Sequence, residues 1–308
     1  MNFDQILTAP EALCGDAASL AGTDTLNVDT AQSLCEEVMA VLRGAEEHPG
    51  TALSRATLDV WQHIRPGMPP QQRDRFRTHV QIYLDGCVKE VTARRTEEPP
   101  DLETYLQLHR STVRLGFIYV LAEYCLGIDL THHVAEHLKE FEAIHTLATD
   151  QVVLFNDLLS LRKEVGDGEI LNSIIVLAHH EGLSLQEAVD QVFARAVTTD
   201  KQFVALRSEL LAGSLGQATN IRSYLQEPGH IMFGSREYEY YAPRYAGNKD
   251  WSMQPRPGRH ITLAPIPRHP LTPVRNTDHR RELIHRTGTP PMFFWQEHFT
   301  WRHNPPCQ

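Results

Sequence analysis

Asn156-Asp157-Leu158-Leu159-Ser160-Leu161-Arg162-Lys163-Glu164 lies in a run whose apolar residues Ile144, Leu147, Leu154, Leu158, Leu161 and Val165 recur at steps of three, four and seven. That rhythm predicts a helix, and Gly166-Asp167-Gly168 predicts where it stops. On such a helix Asn156, Ser160 and Glu164 stand at i, i+4 and i+8, stacking an amide oxygen, a hydroxyl and a carboxylate on one face. An all-oxygen face with a single full negative charge suits a hard divalent ion that keeps some water and shares a phosphate ligand. That describes Mg²⁺ better than zinc. A polar, solvated helix face is the ordinary alternative for those three residues taken alone.

The same helical rhythm holds nearly everywhere up to about residue 246, and strand alternation is hardly visible. Asp29 opens a helix through about Leu42, and Leu53 to Ile64 forms another, ended by Pro66-Gly67. Pro69-Pro70 starts a long segment through Arg95 with Phe76, Val80, Tyr83, Leu84, Cys87 and Val91 as its core stripe. Asp101 is the expected N-cap of a helix running unbroken to Gly127. Ile170 to His180 is a compact apolar helix stopped by Gly182, where His179 and His180 are favourable C-terminal charges and Asn172 supports a turn. Ser184-Leu185-Gln186-Glu187 reads as a capping box for a helix through about Leu211. A final stretch, Leu215 to Tyr241, is interrupted at Pro228-Gly229. The reading is an all-α domain over 1–246, followed from Gly247 by a mostly disordered tail. In that tail ten of the nineteen prolines fall without periodicity.

The 308 residues are 41% hydrophobic and 22% charged, a composition able to form a sizeable core. Lys and Arg number 29 against 39 Asp and Glu, and nine of the basic residues lie in the tail, so the body is acidic. An acidic body lacks the clustered cations that nucleic acid requires, yet it can hold a diphosphate through metal ions that supply the positive charge. No apolar run is long enough for a membrane span and Met1-Asn2-Phe3-Asp4 does not open like a signal peptide, so a cytoplasmic protein is expected. Five widely spaced cysteines without a CxxC pair fit reduced thiols.

The Asn156–Glu164 segment resembles the second metal-binding motif of bacterial class I terpene synthases, including the basic residue, Lys163, before the glutamate. Three further segments resemble the same family. Tyr105 to Thr112 is similar to the stretch bearing the diphosphate-sensing arginine, here Arg110. Ile231 to Tyr245 is similar to the closing helix that ends in an Arg-Tyr pair, here Arg244 and Tyr245, with Tyr238 where tryptophan is usual. Asp59-Val60-Trp61 leading to Arg65-Pro66-Gly67-Met68 is similar to a scaffold signature. The resemblance implies a class I terpenoid synthase-like helical bundle and a prenyl diphosphate substrate, farnesyl diphosphate first among them. It implies Mg²⁺ on Asn156, Ser160 and Glu164, and diphosphate contacts from Arg110, Lys163, Arg244 and Tyr245. Neither nucleic acid nor a membrane is an expected partner, and a homodimer is the assembly to test. Phe155, Phe117, Tyr83, Trp61 and Tyr238 are available to face a carbocation.

Departures from the family pattern accompany these matches. Where the aspartate-rich motif should fall, Gly15 to Gly22, one carboxylate stands, Asp16, so at most one ion would be well bound. The chain begins where the family is already several helices in, which implies an incomplete N-terminal wall. Val113-Arg114 falls where many members carry a small residue, often glycine, at the second position to break the helix. His133-Val134-Ala135-Glu136-His137 matches the inverzincin pattern, a cheap match among seventeen histidines and distant from the proposed site. Two functions follow: a Mg²⁺-dependent terpene cyclase, or a degenerate relative that keeps the fold and weak diphosphate binding without turnover.

Overall fold

The computed structural model describes residues 28–45, 50–96 and 98–241. Among them are eleven α-helices and two 3₁₀ turns: α1 (Val28–Arg43), α2 (Ala52–Ile64), α3 (Pro70–Ala93), α4 (Leu102–Thr112), α5 (Leu115–Leu126), α6 (Thr131–Glu136), α7 (Leu138–Asp167), α8 (Ser173–Glu181), α9 (Leu185–Ala212), α10 (Thr219–Tyr224) and α11 (Glu227–Tyr241). No strand occurs among the described residues, and none of their helices is long and apolar enough to cross a membrane. The tail and Asp16 lie outside the described residues.

Local chemistry sets most of these boundaries. Asp101 accepts from the Thr104 amide at α4, Ser184 and Glu187 close a reciprocal capping box at α9, and Gly168 and Gly182 end α7 and α8 in the left-handed conformation. The expected continuous helix from Asp101 to Gly127 is instead two. Arg114 adopts φ 69° at the joint, the one positive-φ non-glycine residue among the described residues. Neither Val113 nor Arg114 is a breaker by type, so the bend comes from tertiary packing on both sides. The break expected at Pro228-Gly229 falls earlier: α10 ends at Tyr224, and Pro228 sits in the first turn of α11, where its missing N–H costs nothing.

Three apolar clusters hold the bundle. In the first, α1, α2 and α3 bury Val38, Met39, Leu42, Trp61, Ile64, Phe76, Val80 and Leu84. The second joins α4, the C-terminal half of α7, α8 and the start of α9 through Tyr105, Leu106, Leu154, Leu161, Ile174 and Val192. The third joins α5, the N-terminal half of α7, the end of α9, α10 and α11 through Tyr119, Phe141, Ile144, Phe203, Tyr224 and Met232. Each such side chain contributes about 1.5–3 kcal/mol on burial. Because α7 belongs to two clusters at once, it is the axis of the molecule.

Close approaches fix how the outer helices cross. A Cβ on Gly86 of α3 would collide with Ser111 of α4, so only glycine allows that crossing. Glu123 of α5, 1% exposed, accepts from Arg75 Nη1 at 2.8 Å, from Gln72 Nε2 at 3.3 Å and from the Leu130 amide at 3.0 Å, which docks α5 on α3.

Candidate metal centre

The C-terminal half of α7 carries Asn156, Ser160 and Glu164 on successive turns, about 6 Å of helix rise apart. Ser160 is 1% exposed and its Oγ makes no hydrogen bond of ordinary geometry, although it lies near enough to Glu164 to lower that carboxyl's pKa. Glu164 Oε2 accepts from Asn172 Nδ2 at 2.8 Å. Burial, reinforced by the neighbouring Asp157 carboxylate, pushes the Glu164 carboxyl up to about 7, with Asn172 pulling the other way. Lys163 also acts to lower it.

Two supporting residues carried no sequence motif. Asn172 caps α8 by accepting from the Ile174 amide at 2.9 Å, as expected of a turn residue. Its amide group also donates to the Asp157 carbonyl and to Glu164. One side chain therefore starts a helix and clamps a site carboxylate. Glu239 of α11 accepts from Asn156 Nδ2 at 3.0 Å and from Ser235 Oγ at 3.2 Å on the same oxygen, Oε1. Burial pushes Glu239 up to about 7, against the pull of Asn156 and Ser235.

Asp157, although inside the motif, faces α4 and α8 rather than the ridge. It is fully buried and accepts from the Tyr105 hydroxyl at 2.7 Å and the Ser173 amide at 3.0 Å. Its role is to tie three helices together.

Arg110 projects from α4 onto α7 at Asp150, about 1.7 turns before Asn156. Its Nη2 donates to Asp150 Oδ2 at 3.0 Å, its Nε donates to the other oxygen, and its Nη1 reaches Glu103 at 3.2 Å. Hydrogen bonding to Asp150 is the main cause that raises its pKa. Six residues of helix turn Asp150 about 120° away from Asn156, so the structure sets Arg110 against the helix that carries the ridge but does not bring it onto the ridge itself. Arg244 and Tyr245 lie outside the described residues, three and four positions past the end of α11.

The aromatic candidates divide. Trp61, 2% exposed, stacks on Phe76 at 5.5 Å, and Phe117 meets Phe76 and Tyr83 edge-on, a packed cluster among α2, α3 and α5. Tyr238 is 52% exposed. Phe155, next to Asn156, has the Arg236 guanidinium 5.7 Å from its ring centre. The inverzincin pattern does not form its trio: His137 turns to Glu140, and the ligand atoms that approach one another are those of His132, His133 and Glu136, on the surface of α6.

The oxygen-only ridge fits a hard divalent cation on two observations. Ser160 offers a buried hydroxyl oxygen that lacks an ordinary hydrogen bond, and Glu164 is a carboxyl whose charge is under-compensated. A cation would answer both.

Comparison with known proteins gives the family. Residues 16–199 match the model of terpene synthase family 2, C-terminal metal binding. The chain belongs to the terpene synthase family. Pristinol synthase of Streptomyces pristinaespiralis is 30% identical over 203 residues, 66% of this chain and 52% of that protein. Alpha-muurolene synthase of Coprinopsis cinerea is 30% identical over 224 residues, 72% of this chain and 52% of that protein. The chain thus spans about half the length of these curated relatives. The crystal structure of germacradien-4-ol synthase from Streptomyces citricolor superposes with a TM-score of 0.61 at 24% identity, covering 69% of each chain. The fold is accordingly the class I terpenoid synthase helical bundle, as the four sequence segments imply.

Proposed function

We propose that this chain acts as a Mg²⁺-dependent class I terpene cyclase, ionising a prenyl diphosphate, farnesyl diphosphate in the first instance, and letting the carbocation cyclise. The observation that carries this reading is the α7 ridge, where a buried hydroxyl without an ordinary hydrogen bond stands between an amide and a carboxyl held near neutrality. Asn156, Ser160 and Glu164 hold the ion in this reading, and their oxygen-only character favours Mg²⁺. When bound, Mg²⁺ neutralises charge growing on the departing diphosphate.

The chain's own cations share that work. Arg110 presents a planar fork that Asp150 keeps extended, and a diphosphate competes for the same donors. Lys163, Arg244 and Tyr245 donate to the leaving group in this reading, the last two from the segment that follows α11. Relatives named as synthases of pristinol and α-muurolene support a terpene product. The runner-up, a non-catalytic relative, is favoured by Gly15–Gly22, which offers Asp16 and no aspartate pair.

The test is direct. The purified chain is incubated with Mg²⁺ and farnesyl diphosphate and the organic extract is analysed by gas chromatography and mass spectrometry. Cyclic hydrocarbons or alcohols that vanish with chelator are expected. No product from farnesyl, geranyl or geranylgeranyl diphosphate overturns the cyclase and leaves the non-catalytic relative.

A further inference from the structure

A primary amide that gives its carbonyl oxygen to a cation must place its NH₂ group elsewhere, and a half-turn of the side chain exchanges the two at little cost. A neighbouring carboxylate removes that ambiguity, because it accepts from the NH₂ and repels the carbonyl. Glu239 stands in this relation to Asn156: Oε1 takes the Nδ2 hydrogen at 3.0 Å, and Ser235, one turn earlier on α11, donates to the same oxygen at 3.2 Å. Glu239 is only 5% exposed, and its Oε2 is buried with no hydrogen-bond partner. Burying a carboxylate with one oxygen unanswered is costly, so packing alone gives no reason for glutamate here.

We propose that Glu239 is a positioning residue of the metal centre, holding the Asn156 amide so that its Oδ1 faces the ridge and tying α11 to the ion. The inference rests on the metal reading of Asn156, Ser160 and Glu164 given above. It assigns a site role to a helix that the matched family region, residues 16–199, does not include.

Mn²⁺ binding to the full chain, read from the electron paramagnetic resonance signal of free Mn²⁺, tests it. Parent, Glu239→Gln, Glu239→Leu, Asn156→Ala and the Asn156→Ala/Glu239→Leu double variant are compared, each checked for folding by circular dichroism melting. Loss of an outer partner typically weakens metal affinity about 10- to 100-fold, and that loss is expected for Glu239→Leu. Glu239→Gln, whose amide oxygen still accepts from Asn156, is expected to stay within about threefold of the parent. The double variant is expected to bind no more weakly than Asn156→Ala alone, because Glu239 acts through Asn156. Should Glu239→Leu fail to fold, Glu239→Ala carries the same comparison.

A folded Leu or Ala variant with parent affinity overturns the inference and leaves the metal reading standing. Equal losses in Gln and Leu overturn the positioning role in favour of a direct charge on the ion. A parent that binds no Mn²⁺ removes the metal reading itself, and this inference with it.

Discussion

The two halves of α7 treat buried polar groups in opposite ways. In the N-terminal half, among Phe141, Ile144, Ala148 and Val152, the His145 ring stacks on Tyr119 at 4.1 Å and meets the Tyr224 hydroxyl through Nε2 at 2.7 Å. Burial drives its pKa down to about 3, so it is a neutral ring held by a neutral partner. In the C-terminal half, Ser160 lacks an ordinary hydrogen bond, and burial raises Glu164, and Glu239 that meets this half from α11, to about 7. One half of the helix solves polar burial within the protein and the other leaves it open, which is the asymmetry on which the proposed ligand role of the C-terminal half rests.

The contrast can be broken most forcefully from the packing side. Phe141→Ala is expected to remove about 3–5 kcal/mol of stability, seen as a lower midpoint in urea unfolding, since it opens a cavity in the third cluster. Glu164→Ala, on the same helix but beside the second cluster, is expected to leave melting unchanged or higher while cutting product formation about 100-fold or more, equivalent to about 2.7 kcal/mol or more of lost charge stabilisation. A fall in stability matching that of Phe141→Ala would make Glu164 a structural residue. Asn172→Ala sharpens the comparison further, because it touches both roles. It should lower stability by about 1 kcal/mol through the lost α8 cap and also weaken Mn²⁺ binding about tenfold through Glu164.

The two halves also oppose each other in pH. Between its folded value of about 3 and its ordinary 6.5, His145 takes up a proton only when the chain unfolds, so stability falls as pH drops through that window. Glu164 and Glu239 hold protons in the fold that the unfolded chain releases above their ordinary 4.5, so their contribution is lost as pH rises towards 7. Thermal melting of His145→Gln between pH 6.5 and 4 should show a flatter acid decline than the parent, and an unchanged slope would sink that assignment. The smallest expected effect is at the α4–α5 joint: Arg114→Gly should raise stability by about 0.5–1 kcal/mol by relieving the left-handed backbone.

What could be read from the chain beforehand follows from the range of the interactions involved. The caps at Asp101 and Ser184 and the stops at Gly168 and Gly182 depend on neighbours within a turn, so residue type sufficed. That Asn156, Ser160 and Glu164 stand on successive turns of one helix was legible for the same reason, being a spacing along the chain. The bend at Arg114 was signalled only by the family resemblance, which puts a helix-breaking small residue at that position; the residue types of Val113-Arg114 gave no sign of it. Glu239 was hidden because its partner is 83 residues away in sequence. That Arg110 lies on a helix was legible from the rhythm of its segment, but its pairing with Asp150 of α7 depends on a helix crossing that spacing along one chain does not encode.

The joint at Arg114 has a consequence for how the chain can change length. Arg110 before it is anchored to Asp150, and Glu123 after it is anchored to Arg75, Gln72 and the Leu130 amide. One residue inserted or deleted between those anchors would rotate α5 by about 100° about its own axis and carry Glu123 out of reach of the α3 guanidinium. Length changes between these two anchors should therefore be tolerated hardly at all.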